Sequence, residues 1–240
     1  MLDWRARIGL LVPSGNQTIE PELYRYAPPG VAFHFTRVAN YLDTEEELAA
    51  MADAAPGAAT LLVHAGVNLI VFACTAASLL YGRGYDSKVA ARIAHVTAIP
   101  VTTTSTAAVA ALRAVNAQRL MVLTPYADWL NVRVSGFFEA EGFSVAGVCT
   151  IPEATTPAAI ASISPNAIYR AARKLDVQTF DGLFLSCTDL RALEVIAPLE
   201  ADLGRPVVSS NQATLWHCLR LVGIHDRLGR LGRLLDDEGR

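Results

Sequence analysis

Long apolar runs are missing from this chain. No stretch reaches eighteen apolar residues, and the opening "MLDWRARIGLLVPSGNQ" is cut short at Pro13 and Asn16, so neither a membrane span nor a signal peptide is expected. Positive charge is not in excess either. The formal net charge is −3, which leaves no basic footprint for nucleic acid. There are four cysteines, Cys74, Cys149, Cys187 and Cys218, and none forms a CxxC or CxxH cluster; a zinc site is unsupported. Without a secretory context these are read as free thiols rather than bridges. A P-loop and a GxGxxG fingerprint are absent as well. Together these absences predict a cytoplasmic protein that needs neither metal nor nucleotide cofactor, and that binds neither nucleic acid nor membrane.

What is present suits a large core. The 240 residues are 52% hydrophobic and 18% charged, a balance of folded rather than disordered chains. Apolar runs alternate with helix-like stretches. "RIGLLVP", "VAFHFTRV" and "VNLIVFAC" read as strands, while "TEEELAAMADAAPGAATLLVHAG" reads as a helix broken or kinked at Pro56. "SKVAARIAHVTAI" and "TAAVAALRAVNA" are further helices on either side of "PVTTT".

The plan then repeats. "RLMVLTPY" (119–126) resembles "RIGLLVPS" (7–14), and "FSVAGV" follows as "FHFTRV" did. "DGLFLSCT" (181–188) answers "NLIVFACT" (68–75), and "RPVVSSNQA" answers "IPVTTTSTA". The matched landmarks lie about 106 to 113 residues apart, in order, which points to a duplication. The predicted fold is α/β, with two pseudo-symmetric Rossmann-like lobes whose parallel sheets are flanked by helices. Lobe 1 is assigned residues 1–104 and 210–240, and lobe 2 residues 105–209. Ligands of such sheets sit beyond the carboxyl ends of the strands. Both Cys-Thr pairs, "PSGN" and "TPY" fall at such ends, so the site is expected in the interlobe cleft.

A cysteine at a strand end is ordinarily a buried small hydrophobe. Cys149 and Cys218 fit that description. Cys74 and Cys187 differ, because each leaves a strand where helix-favouring residues begin. Unpaired N–H groups there favour thiolate and bind carboxylates, so a lowered thiol pKa is expected. Two thiols across an anion-binding cleft suit three reactions. They are racemisation by paired proton transfers, protonation of a carbanion after decarboxylation, and thiolate addition to an activated C=C bond with protonation of its neighbour. In the last, the bond becomes single, rotates, and elimination gives the other geometric isomer.

"VPSGNQTIEPEL", "FACTAASL", "LTPY", "ISPNAIYR" and "LSCTDLRAL" carry a family resemblance that spans nearly the whole chain. The sequence resembles the aspartate/glutamate racemase superfamily, related to arylmalonate decarboxylase, and within it the maleate cis–trans isomerases. The resemblance implies Cys74 as nucleophile and Cys187 as general acid/base. It implies Asn16, Tyr126 and Asn166 as ligands of the two carboxylates of a small dicarboxylate, with Thr75, Ala76 and Thr188 supplying further donors. The expected activity is cofactor-independent isomerisation of maleate, or a close cis-dicarboxylate, to fumarate. Gly15 and Gln17 depart from the family's usual residues and leave the diacid open.

Other readings compete. An amino-acid or hydantoin racemase also uses paired cysteines, but no ammonium-binding acid is evident near Asn16. An arylmalonate-decarboxylase-like enzyme needs only the second cysteine. A dicarboxylate-binding sensor would need neither. Locally, Asn16 reads equally as a turn or cap residue, Tyr126 as a packed aromatic near Trp129, and Asn166 as a first-turn surface residue after Ser164-Pro165. His64 and His217 fall inside helices and read as structural. Residues 81–85, "YGRGY", form either a loop over the site or an ordinary surface connection. The tail, with Leu228, Leu231, Leu234 and Leu235, is either a contact in a homo-oligomer or a frayed terminal helix.

Overall fold

The chain alternates short apolar strands with helices, and the pattern is followed twice. The computed structural model describes residues 3–151 and 157–236. Its strands are β1 (Ala6–Pro13), β2 (Val31–Val38), β3 (Leu69–Phe72), β4 (Val101–Thr103), β5 (Arg119–Thr124), β6 (Ser144–Thr150), β7 (Gly182–Leu185) and β8 (Val207–Ser209). Its helices are α1 (Ile19–Tyr26), α2 (Glu45–His64), α3 (Thr75–Leu79), α4 (Tyr85–Thr97), α5 (Thr104–Ala114), α6 (Asp128–Ala140), α7 (Pro157–Ile160), α8 (Pro165–Ala172), α9 (Ile196–Leu203), α10 (Ser210–Leu221) and α11 (Arg233–Asp236).

Two four-stranded sheets result, ordered β2-β1-β3-β4 and β6-β5-β7-β8. Every pairing is parallel. The central strands β3 (LIVF) and β7 (GLFL) are buried at every position, as strands covered by helices on both faces must be. The edge strands β2 and β6 are only part buried. Gly9 in β1 is needed for this covering, because a Cβ there would lie 2.9 Å from Leu62 Cδ1 of α2.

The duplication reaches the hydrogen bonds. Asn68 Oδ1 accepts the Arg7 amide at 2.8 Å, and Asp181 Oδ1 accepts the Arg119 amide at 2.8 Å. Thr103 caps α5 through the Thr106 amide, and Ser209 caps α10 through the Gln212 amide, each satisfying an otherwise unpaired donor. The expected lobe boundaries, at 104/105 and 209/210, fall at the first residues of α5 and α10. These helices join the two halves, with the Thr104 and Thr214 hydroxyls 3.1 Å apart.

Two expectations need correction. The α2 helix runs unbroken through Pro56. Proline removes one backbone donor, but Ala52, Ala55 and Ala59 on the buried face hold the helix against the sheet. The tail is not frayed over its described part. Leu231, Leu234 and Leu235 are buried, and Gln212 Nε2 of α10 donates to the Leu231 carbonyl; residues 237–240 of that tail lie outside the described residues. No helix among the described residues is long and apolar enough to cross a membrane.

Candidate active site

The two strand-end cysteines face one cavity. Cys74 follows β3 and caps α3, its Sγ accepting the Ala77 amide at 3.4 Å. Cys187 follows β7, and its Sγ accepts the Asp189 amide at 3.4 Å. Both line one cavity of about 100 Å³, together with Asn16, Thr75, Ala76, Tyr126 and Thr188. Asn16 and the first cysteine come from the first sheet's loops, Tyr126 and the second cysteine from the second sheet's, so the cavity lies between the halves.

Asn16 both orders the turn into α1 and walls the cavity. Its Oδ1 accepts the Thr18 and Ile19 amides at 3.0 and 3.1 Å, starting α1, while its Nδ2 donates to Thr188 Oγ1 at 3.1 Å. Ser210 links the two cysteine loops. Thr75 Oγ1 donates to Ser210 Oγ at 2.9 Å, and that same oxygen accepts the Cys187 amide at 3.1 Å. Cys187 needs this hold, because its φ of +136° is a region side chains rarely adopt. Backbone strain of this kind costs on the order of 1–3 kcal/mol and persists where surroundings enforce it.

Asn166 does not join the cavity. The Ser164 side chain caps α8 at the Ala167 amide, and the helix buries Ala167, Ile168 and Ala172, leaving Asn166 in the exposed first turn. The cavity wall in this region is Ile160 and Ala161. Residues 81–85 do not line the cavity; Tyr81 packs edge-on against Tyr85 instead.

Sequence reasoning missed two acids. Asp43 and Asp189 both line the cavity. Asp43 sits at φ +51° in the loop before α2, held by Asn40 Nδ2 at 2.7 Å. Glu47 holds the same loop by accepting the Tyr41 and Leu42 amides. Asp189 Oδ1 accepts the Gln17 and Thr18 amides at 2.8 and 3.1 Å. An acid therefore does stand beside Asn16. "CTDL" displayed Asp189 openly, but only the fold brings the loop of residues 39–44 to the cysteines.

These acids and the burial reverse the expected thiol chemistry. Burial, then the charge of Asp43, pushes the Cys74 thiol up to about 12, against the weaker opposing pull of the Ala77 and Ala76 amides. Burial followed by Asp189 and Asp43 holds the Cys187 thiol well above its usual value. Desolvation outweighs the few amides of a five-residue helix. The resting site thus holds two neutral thiols. Tyr126, raised by burial and by the neighbouring Cys187, is a neutral hydroxyl donor. Asp43 and Asp189 are themselves raised, first by burial.

Comparison with known proteins agrees with this geometry. The family model described as arylmalonate decarboxylase matches residues 8–235. The chain belongs to this family. A maleate isomerase of Nocardia farcinica is 31% identical over 95% of each chain. Among solved structures, a maleate isomerase mutant from Pseudomonas putida S16 with maleate superposes with a TM-score of 0.91, at 28% identity over 96% of this chain and 97% of that one. A cysteine-to-serine mutant of the Nocardia farcinica maleate cis–trans isomerase, carrying a covalently bound succinylcysteine intermediate, gives a TM-score of 0.91 at 30% identity, covering 97% and 99%. Family membership therefore extends across both sheets, and both cysteine loops lie within it.

Proposed function

We propose that this family member catalyses cofactor-independent cis–trans isomerisation of maleate, or a close cis-dicarboxylate, to fumarate by reversible addition of Cys74 to the double bond. The observation that carries this reading is the pair Cys74 and Cys187 lining one small polar cavity with Asn16 and Tyr126. The succinylcysteine of the Nocardia farcinica relative is the adduct such an addition forms. A cavity of about 100 Å³ suits a four-carbon diacid.

The protons balance within the site. As substrate enters, the Cys74 proton passes to Asp43, a carboxylate lining the same cavity. This also removes the repulsion between Asp43 and the incoming dianion. The Cys74 thiolate then forms a C–S bond at one vinyl carbon, and the π electrons move to the other. That carbon takes the proton of the Cys187 thiol. Rotation about the new single bond follows. The Cys187 thiolate removes a proton from the same carbon, the C–S bond breaks, and Asp43 returns its proton to Cys74. Asn16, Tyr126 and Thr188 donate to the carboxylates, while the Thr75 hydroxyl, committed to Ser210, holds the two cysteine loops together, and the backbone at Ala76 lies beside the attacking sulfur.

A proton-NMR time course with maleate in deuterated water tests the reading. The maleate singlet is expected to give way to that of fumarate with the wild type, and to persist with Cys74→Ala. An unchanged wild-type spectrum sinks it. Asp43 and Asp189 also favour a second reading, an amino-acid racemase whose ammonium group meets these acids. Solvent-deuterium exchange at the α-carbon of aspartate or glutamate would select that alternative.

A further inference from the structure

Behind the cavity lies a buried acid that the reaction above does not use. Glu22 of α1 is 9% exposed. Its Oε2 accepts Asn211 Nδ2 at 2.7 Å, and its Oε1 accepts the Leu193 amide at 3.3 Å. The same Asn211 nitrogen donates its other hydrogen to the Thr188 carbonyl at 3.0 Å, the residue directly after Cys187. Asn211 is 1% exposed, and its Oδ1 has no hydrogen-bond partner.

We propose that Glu22 is a positioning residue for the second cysteine loop, acting by dictating which way the Asn211 amide faces. A carboxylate only accepts hydrogen bonds. It therefore forces the Asn211 NH2 group inward, and one nitrogen then bridges Glu22 and the Thr188 carbonyl. Turning the amide over would set its oxygen against both acceptors and lose two bonds. The orphaned Oδ1 shows that this orientation is held for the nitrogen's sake, at the cost of the oxygen. Asn16 reaches the Thr188 hydroxyl, so α1 and the turn before it grip the loop from two points. Burial raises the Glu22 pKa to about 7, with Glu194 raising it slightly and Arg191 opposing. Once protonated, Glu22 no longer imposes the orientation.

The inference rests on the isomerase reading for its kinetic test, and thiol alkylation tests it independently. In Glu22→Gln the amide at position 22 brings a donor toward Asn211. At about pH 8.5, kcat for maleate is expected to fall about 10- to 100-fold, as misplacements near an angstrom do. KM should stay within about threefold, and the wild type's rise in kcat through about pH 7 should vanish. Iodoacetamide labelling, read by peptide mass, should change at Cys187 and not at Cys218. Asn211→Ala should reproduce the kcat loss, and the double variant should be no worse than either single one. It also carries the test if Glu22→Gln fails to fold. Unchanged kcat and pH profile, additive losses, or labelling that rises equally at Cys187 and Cys218 would overturn the proposal. A wild type inert toward maleate defeats the isomerase reading alone, since the labelling comparison still reports on Glu22.

Discussion

Thr75 and Cys187 are joined through one oxygen atom: the Thr75 hydroxyl donates to Ser210 Oγ, which accepts the Cys187 amide. Ser210 is fully buried. In Ser210→Ala the Cys187 amide loses its acceptor, and a buried unpaired donor costs about 1–3 kcal/mol. The expected result is a lower denaturation midpoint and a kcat reduced about tenfold or more. Retention of both would show that the strained Cys187 backbone holds itself.

The two cysteines should fail differently. Cys74→Ala removes the bond-forming atom, so maleate should bind without turnover, with kcat reduced by about 10³-fold or more. Cys187→Ser keeps the attacking thiol but weakens the proton donor. Intact-mass spectrometry of that variant with maleate should show one covalent substrate equivalent, mapped to Cys74. An adduct on Cys187 in the wild type would reverse the assignment.

Asp43 gives a prediction with opposed signs. Its charge raises the Cys74 pKa, so Asp43→Asn should lower that pKa and speed alkylation of Cys74 in the unliganded protein. Turnover should nevertheless fall about 10²-fold, because the proton acceptor is gone. In the wild type, Cys74 alkylation should climb about tenfold per pH unit between about pH 7 and 10 without a plateau. A plateau near neutrality would show that the thiol is not raised toward 12.

Glu22 also sets a stability dependence. Its pKa goes from 4.5 to about 7 on folding, so the folded state binds more protons between those values. Its contribution to stability is therefore full below about pH 4.5, falls as pH rises to about 7, and is then level, a loss of roughly 3 kcal/mol. Glu22→Gln should flatten that slope in denaturant titrations while lowering activity. A steeper slope in the variant would contradict the sign.

Much of this architecture was legible in the chain itself. Strands such as LIVF and GLFL are apolar on both faces, which only a helix-covered parallel sheet accommodates, and the repeated landmarks placed Cys74 and Cys187 at equivalent strand ends. Local grammar also read the setting of Asn166, since Ser164-Pro165 starts a helix whose first turn is exposed at that position. The helix does not break at Pro56, because a single missing donor is weighed locally, whereas the alanine face that retains the helix is a tertiary contact.

Residue order alone determined the two sheets, the strand-end cysteines and the caps, because periodicity and capping act over a few neighbouring residues. The protonation of the thiols, the approach of Asp43, and the Glu22–Asn211–Thr188 chain were decided only by folding. Desolvation and Coulomb interaction depend on distance and burial in space, and these groups stand tens to nearly two hundred positions apart along the chain.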